Sequence, residues 1–173
     1  MTHPDKSVGD IPIELHLPQI SIRKMTDTDI NPYCSLFQNV FSKSPWNEKW
    51  DINKIDADIR KLLRKESFFG MVAETGSRGV GYLTGFRLKV IQSLFFIDQL
   101  FIDTDHQGKK IGPRLLSETT SHIKNLGVSR ILLLTKPHTI AEKFYRVNGY
   151  KQFLSVISFK DKTFFIKTLD RLK

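Results

Sequence analysis

Residues 105–116 read DHQGKKIGPRLL. Two glycines, two lysines and a proline stand between an apolar run, SLFFIDQLFI, and a stripe of leucines. A chain that leaves a buried strand and starts a helix at once exposes unpaired backbone N–H groups, with about half a positive elementary charge beside them. Glycine lets a ligand come close to the backbone because no Cβ intervenes, and Lys109 and Lys110 add charge. Such a turn can hold a phosphate or pyrophosphate. A plain tight turn ahead of a helix is the other reading of the same spacing. Two common phosphate loops do not fit. A Walker loop needs G-x-x-x-x-G-K-[ST], but Gly108 and Gly112 are too close and no Gly-Lys-Ser follows; the dinucleotide fingerprint G-x-G-x-x-G is absent.

Other reactive side chains are few. Cys34 is the only cysteine and lies on an apolar helical stripe, which reads as core. The histidines show no metal-ligand spacing, so no metal is expected. Asp103 and Asp105 read as turn formers and caps. Asp98, inside the apolar run, is an ionisable carboxylate, and Gln99 beside it cannot act as a base.

The elements that must position these residues follow from periodicity. SIRKM alternates as a first strand. TDTDINPYCSLFQNVF carries Ile30, Tyr33, Cys34, Phe37, Val40 and Phe41 at helical spacing, with Thr28 or Asp29 as cap. DINKIDADIRKLLRKE is a second helix capped by Asp51. SFFGMVAE, VGYLTGFRL and SLFFIDQLFI are strands, the first two joined by the hairpin turn TGSRG. The helix after the glycine turn has the stripe Ile111, Leu115, Thr119, Ile123 and Leu126, with Pro113 in its first turn and Gly127 as its stop. RILLLT reads as a strand buried on both faces. TIAEKFYRVNGY is a short helix capped by Thr139, and FLSVISFK with TFFIKTL forms a last hairpin. The order βααβββαβαββ implies an α+β fold: a mixed sheet of about seven strands flanked by about four helices. The strand–turn–helix at 102–116 crosses over to a parallel strand.

The chain has 173 residues, 40% hydrophobic and 26% charged, which fits one globular domain over 20–173 behind a flexible arm at 1–19. The arm has no apolar core of a signal peptide, and no stretch approaches the roughly 18 apolar residues of a membrane span. A cytoplasmic protein without membrane contact is expected. The net charge of +9 fits an anionic ligand. Its excess is scattered as on a solvated face, and no aromatic-and-basic nucleic-acid motif appears, so nucleic acid is not the expected partner. A homodimer is left open.

LFIDTDHQGKKIGPRLL resembles motif A of the GNAT N-acetyltransferase superfamily, in which a β-bulged strand ends at [Q/R]-x-x-G-x-[G/A] before a leucine-bearing helix. Gln107 and Gly112 match the outer positions. Lys110 stands where the family usually has glycine, a mild departure if the backbone there keeps negative φ. TIAEKFYRVNGY is similar to the family's A-x-x-[F/L]-Y-x-x-x-G-[F/Y], with Ala141, Tyr145, Gly149 and Tyr150 in register and His138 in place of the usual asparagine. The resemblance covers roughly residues 20–169. It implies a V-shaped splay between strands 4 and 5 where acetyl-coenzyme A binds. The thioester would lie beside Leu100, Phe101 and Ile102. The pyrophosphate would rest on Gln107, Gly108, Lys109, Lys110, Ile111, Gly112 and Pro113, with His138, Ala141 and Phe144 also on the cofactor.

The resemblance further implies direct attack by an amine, with no acyl-enzyme on Cys34. FIDQLFI is similar to a Y-[I/L]-[D/E]-x-L-x-V segment of some relatives whose acidic residue takes the amine proton, directly or through water; the resemblance implies that role for Asp98, against the alternative of a carboxylate that merely attracts a cationic amine. Tyr145 stands at the family's general acid, against the alternative of a packed aromatic. In the family the loop between the first two helices lines the acceptor pocket; here it offers Trp46 and Trp50 as walls and Glu48 and Asp51 for an ammonium, unless the tryptophans only plug the sheet edge. The implied function is acetyl-coenzyme A dependent transfer of an acetyl group to a primary amine, of a small molecule. A protein or peptide amine is the first alternative. A catalytically degenerate GNAT fold that binds coenzyme A or nucleic acid is the second.

Overall fold

Apolar residues at helical spacing form α1 (Ile30–Ser42) and α2 (Ile52–Leu63), after the first strand, β1 (Ile20–Lys24). The Asp51 carboxylate caps α2 by accepting the Asn53 N–H at 2.7 Å. Alternating stretches then form β2 (Phe68–Thr75), β3 (Arg78–Arg87) and β4 (Leu94–Ile102), followed by α3 (Ile111–Lys124), β5 (Arg130–Thr135) and α4 (Ile140–Val147). Short strands β6 (Lys151–Gln152) and β7 (Ser158–Phe159) precede β8 (Lys162–Thr168). The computed structural model describes residues 19–169 except 89, 92, 154–157 and 160. The expected arm, up to residue 18, lies outside the described residues. So does the middle of FLSVISFK, which reads as one strand; β7 falls at its end and β6 just before it. No helix among the described residues is long and apolar enough to cross a membrane.

The strands form one mixed sheet in the order β1-β2-β3-β4-β5-β8-β6, with β7 on β8. β4 and β5 pair in parallel, as a strand–helix–strand crossover requires. One face is covered by α3 and α4, and buries Met71, Ala73, Leu83, Phe95, Ile97, Leu115 and Tyr145. The other is covered by α1 and α2, and buries Val72, Tyr82 and Phe101 with Tyr33, Phe37 and Ile59.

A bulge in β4 positions everything that follows. The β3–β4 register runs Thr84↔Gln99 and then Gly85↔Ile97, so Asp98 has no partner on β3. One extra residue inverts the alternation of the strand. Phe95 and Ile97 face α3, but Phe101, at the same parity, faces α1 and α2, while Leu100 and Ile102 pack on the α3 side. Gly85 permits the bulge: a Cβ there would overlap the Phe96 carbonyl and the Phe95 ring. The β4–β5 ladder also stops here, its last pair being Ile97↔Leu133. Beyond it the two strands diverge.

Two sequence readings are corrected. Leu126 does not extend the α3 stripe; it is 50% exposed, because the chain turns at Gly127 (φ 81°) and the Val128 N–H returns to the Ile123 carbonyl. Asp29 does not cap α1 in the forward direction. Its buried carboxylate points back, accepting the Thr26 N–H and two Arg23 N–H groups, each at 2.8 Å. Burial alone would raise this carboxyl, but Arg23 and Thr26 outweigh it and hold it below the usual range. Asp29→Asn should therefore cost about 2 kcal/mol at neutral pH, discounted from a fully buried pair because Arg23 is partly exposed. With the folded value depressed, the stabilisation is complete above the ordinary aspartate pKa of about 3.9 and is lost as pH falls through the folded value. Urea unfolding should separate the two proteins at neutral pH and bring them together in acid. A gap that persists in strong acid would trace the loss to packing rather than charge.

Candidate active site

The glycine turn is braced from outside. Asp103, at the end of β4, is buried, and its carboxylate accepts from Arg78 at 3.0 Å and lies 3.3 Å from His106 Nδ1. Rather than capping the turn, it ties it to the β2–β3 hairpin. The Gln107 side chain donates to the Ile102 carbonyl at 3.1 Å. Within the turn, Gly108 takes φ 77° and Lys110 takes φ 60°, ψ 16°. Lys110 is the N-cap of α3 and makes no side-chain cap bond. Among the described residues, no backbone N–H from 108 through 112 has a protein acceptor. These donors converge at the start of a fourteen-residue helix, which is what an anion requires. Pro113, in the first turn, lacks an N–H of its own.

Lys110 takes positive φ, so the condition under which its departure from glycine is mild does not hold. A side chain in the left-handed region costs about 1–2 kcal/mol, so replacing the usual glycine is not mild here. Gly112 has a packing reason as well as a binding one. A Cβ there would sit 3.1 Å from the Phe144 ring, so glycine lets α3 begin against α4.

On the α3 side of the sheet, half-buried Leu100 and Ile102 lie on the part of β4 beyond its last pair with β5, and pack on the same core as Ala141 and Phe144. Phe101 is turned away, in an aromatic cluster with Tyr33 at 5.1 Å and Phe37 at 5.4 Å, and leaves only its backbone to the splay. The β5-facing edge of β4 over 98–102 has no strand partner. On α4, Tyr145 is buried between Phe144 and Tyr150, and its phenol makes no hydrogen bond among the described residues. Burial pushes its phenol well above the ordinary value, so it stays protonated. Thr139 caps α4 by accepting the Glu142 N–H at 3.2 Å. Exposed His138 precedes it at φ 60°, its N–H held by the Glu142 carboxylate.

On the α1–α2 side, a cavity of about 360 Å³ opens over the bulge. Trp50, Asp58, Lys61, Lys65, Phe86 and Asp98 are among its walls. Asp98 is open to the cavity yet ringed by protein. That burial pushes its carboxyl above the ordinary range; Lys65 opposes the shift, Asp58 adds to it and Lys162 opposes it. Of the loop residues expected here, Trp50 lines the cavity and packs on Phe37 at 5.3 Å. Glu48 is occupied by the Trp50 indole N–H at 2.7 Å and lies 4.0 Å from Lys136; Trp46 packs on Phe41. Neither borders the cavity. A larger, shallow hollow of about 910 Å³ between α1 and this loop touches no β4 residue.

These features carry a family signature. The Acetyltransferase (GNAT) family matches residues 31–150. The chain belongs to that family. The GNAT fold recurs in solved structures of low identity. The PaiA N-acetyltransferase of Thermoplasma acidophilum, in complex with coenzyme A, is 18% identical over 87% of this chain and 99% of its own, with a TM-score of 0.70. A GNAT acetyltransferase of Staphylococcus aureus Mu50 is 20% identical over 88% and 100%, at 0.72. The ribosomal-protein-S18-alanine N-acetyltransferase of Escherichia coli is 11% identical over 90% and 97%, at 0.69. No curated protein matches the sequence significantly.

Some residues of the bulge and the cavity escaped the sequence reading. Gly85 could have been found, since an isolated glycine inside a strand pattern marks a bulge. Asp58 could have been found too: it follows Ile55 by three residues and precedes Ile59 and Leu62, at the edge of the apolar stripe. Strain at Lys110 is directly testable. Lys110→Gly should release about 1–2 kcal/mol, against about 0.5–1 kcal/mol of added unfolded-chain entropy, a net gain within about 0–1.5 kcal/mol and centred on about 0.75 kcal/mol. Thermal unfolding should rise by about 1–4 °C. Lys109→Gly, at ordinary φ, should lower it. Equal losses in both variants would remove the strain account.

Proposed function

We propose that this chain is an acetyl-coenzyme A dependent N-acetyltransferase that works in the cytoplasm and passes the acetyl group directly to the primary amine of a small molecule. The observation that carries the reading is that β4 serves two faces at one point. Its open edge and the free amides of the turn lie on the splay, and the raised carboxylate of its bulge lies in a cavity on the other face. The cavity volume is at the small end of the small-molecule range. This favours a small acceptor over the protein amine that the name of the ribosomal-protein-S18-alanine N-acetyltransferase of Escherichia coli suggests.

The residues fit the cosubstrate. The N–H groups of residues 108–112 would hold a pyrophosphate, with Lys109 and Lys110 adding charge. The edge of β4 would pair with the amides of the pantetheine arm, and its N–H groups would polarise the carbonyl. When bound, acetyl-coenzyme A supplies an activated acetyl thioester. The chain supplies proton transfers around it. Asp98, with a carboxyl more basic than usual, takes a proton from the ammonium so that the neutral amine can attack. Tyr145, whose phenol has no other partner, donates its proton to the departing sulfur.

Acetyl-coenzyme A should raise the melting temperature, and a panel of small amines and peptide N-termini should be acetylated in favour of the small amines, read by mass spectrometry. Acetylation confined to peptides would overturn the acceptor class. Tyr145→Phe keeps the ring and its packing, so it should fold and bind coenzyme A normally while kcat falls by about 10²–10⁴. A kcat within tenfold of the original would leave the tyrosine a packing role. Asp98→Asn should remove the acidic limb of the kcat/KM profile, and that limb should lie above the ordinary aspartate value of about 3.9. If Asp98→Asn raises KM and leaves kcat nearly unchanged, the carboxylate attracts the amine and does not deprotonate it.

A further inference from the structure

We propose that the acceptor is bipolar, an amine that carries an anionic group at its far end, and that Asp58, Lys61 and Lys65 of the α2 wall select it. The inference rests on the acetyltransfer reading above. Asp58, Lys61 and Lys65, at spacings of three and four, share one face of the helix and its C-terminal extension, and all three line the cavity. Opposite them the lining offers one charge, Asp98. The walls therefore carry two carboxylates and two ammoniums, and their formal charges cancel. A site built for a polycation would carry a clear acidic excess. A site for an apolar amine would have no use for lysines. Like charges facing an acceptor cost affinity, so a balanced wall discriminates by position.

The charges are laid out along the helix. Trp50 precedes α2, and with Tyr33 and Phe37 makes the aromatic end. Asp58 is mid-helix and acts electrostatically on Asp98. Lys65 follows the helix, and its ammonium lies 3.9 Å over the Phe86 ring. Phe86 pairs with Phe96, on the far side of the bulge from Gln99. An amine between the two carboxylates thus has the lysines to one side, where a carboxylate or phosphate would meet them. None of Asp58, Asp98, Lys61 or Lys65 has an ion-pair partner among the described residues. The contact of Lys65 with Phe86 is weak enough to exchange for an anion.

A matched series reads the far end alone: butylamine, putrescine and γ-aminobutyrate share chain length and reacting amine, and aminopropyl phosphate replaces the carboxylate by phosphate. Each is tested for acetylation, and separately for binding by its shift of the Trp50 indole resonance. The wild-type protein should prefer one of the anionic compounds to putrescine by at least about tenfold in kcat/KM, with the carboxylate and phosphate arms naming the anion. In the Lys61→Glu/Lys65→Glu protein the preference should invert towards putrescine; both side chains are exposed, and melting checks the fold. A wild-type preference for putrescine or butylamine, or an order that the double variant leaves alone, overturns the proposal while acetyltransfer stands. Selective binding of the anionic amines without acetylation upholds it and removes the acetyltransfer reading. Absence of both binding and acetylation for the whole series overturns it.

Discussion

The extra residue at Asp98 is the constraint on which the site depends. A strand has a strict two-residue period, and one inserted residue sends every later side chain to the opposite face. Phe101 thereby joins the α1–α2 core, and Leu100 and Ile102 turn to α3. The same insertion coincides with the last β4–β5 pair, so four residue pairs hold the parallel strands together and the rest of β4 is an open edge. Without the bulge, Asp98 would be one more member of a ladder. With it, the carboxylate stands in a cavity, and the backbone beside it is available to a ligand from the other face.

The glycine turn shows a complementary economy. Its bracing is done by groups outside the turn, Asp103 with Arg78 and His106, and Gln107 with the Ile102 carbonyl. The amides inside it are left free for an anion. The contact of Gly112 with Phe144 joins this turn to α4, the helix that carries Tyr145. The turn proposed to hold the phosphate and the tyrosine proposed as proton donor are thus one packed unit.

Most of the architecture was legible in the sequence because helix and strand periods differ and the elements are long. α1, α2, α3 and the strands β2 to β5 lie where apolar spacing puts them. Boundaries set by single turns were less legible. Leu126 continues the arithmetic of its stripe but falls past a helix stop, and Asp29 has the type of a forward cap while Arg23 draws it backward. In the site, the two motif segments placed the turn and α4 together. They could not give the sign of φ at Lys110, because a lysine does not announce a left-handed backbone. They also missed the α2 wall: spacing places Asp58 at the edge of the apolar stripe, but Lys61 and Lys65 acquire their meaning only when α2 is set around the cavity at Asp98. Glu48 and Trp46 do not border the cavity at Asp98: Glu48 accepts from the Trp50 indole and lines the hollow beside α1, and Trp46 packs on Phe41.

Cys34 is the single thiol of the chain, and α1 places it in the core, where burial pushes its pKa up to about 11. At neutral pH about one molecule in ten thousand carries the reactive thiolate. A sulfur so placed can neither cross-link two copies nor be capped by glutathione while the fold is intact. Cys34 therefore offers the folded chain no ready thiol for oxidation or alkylation.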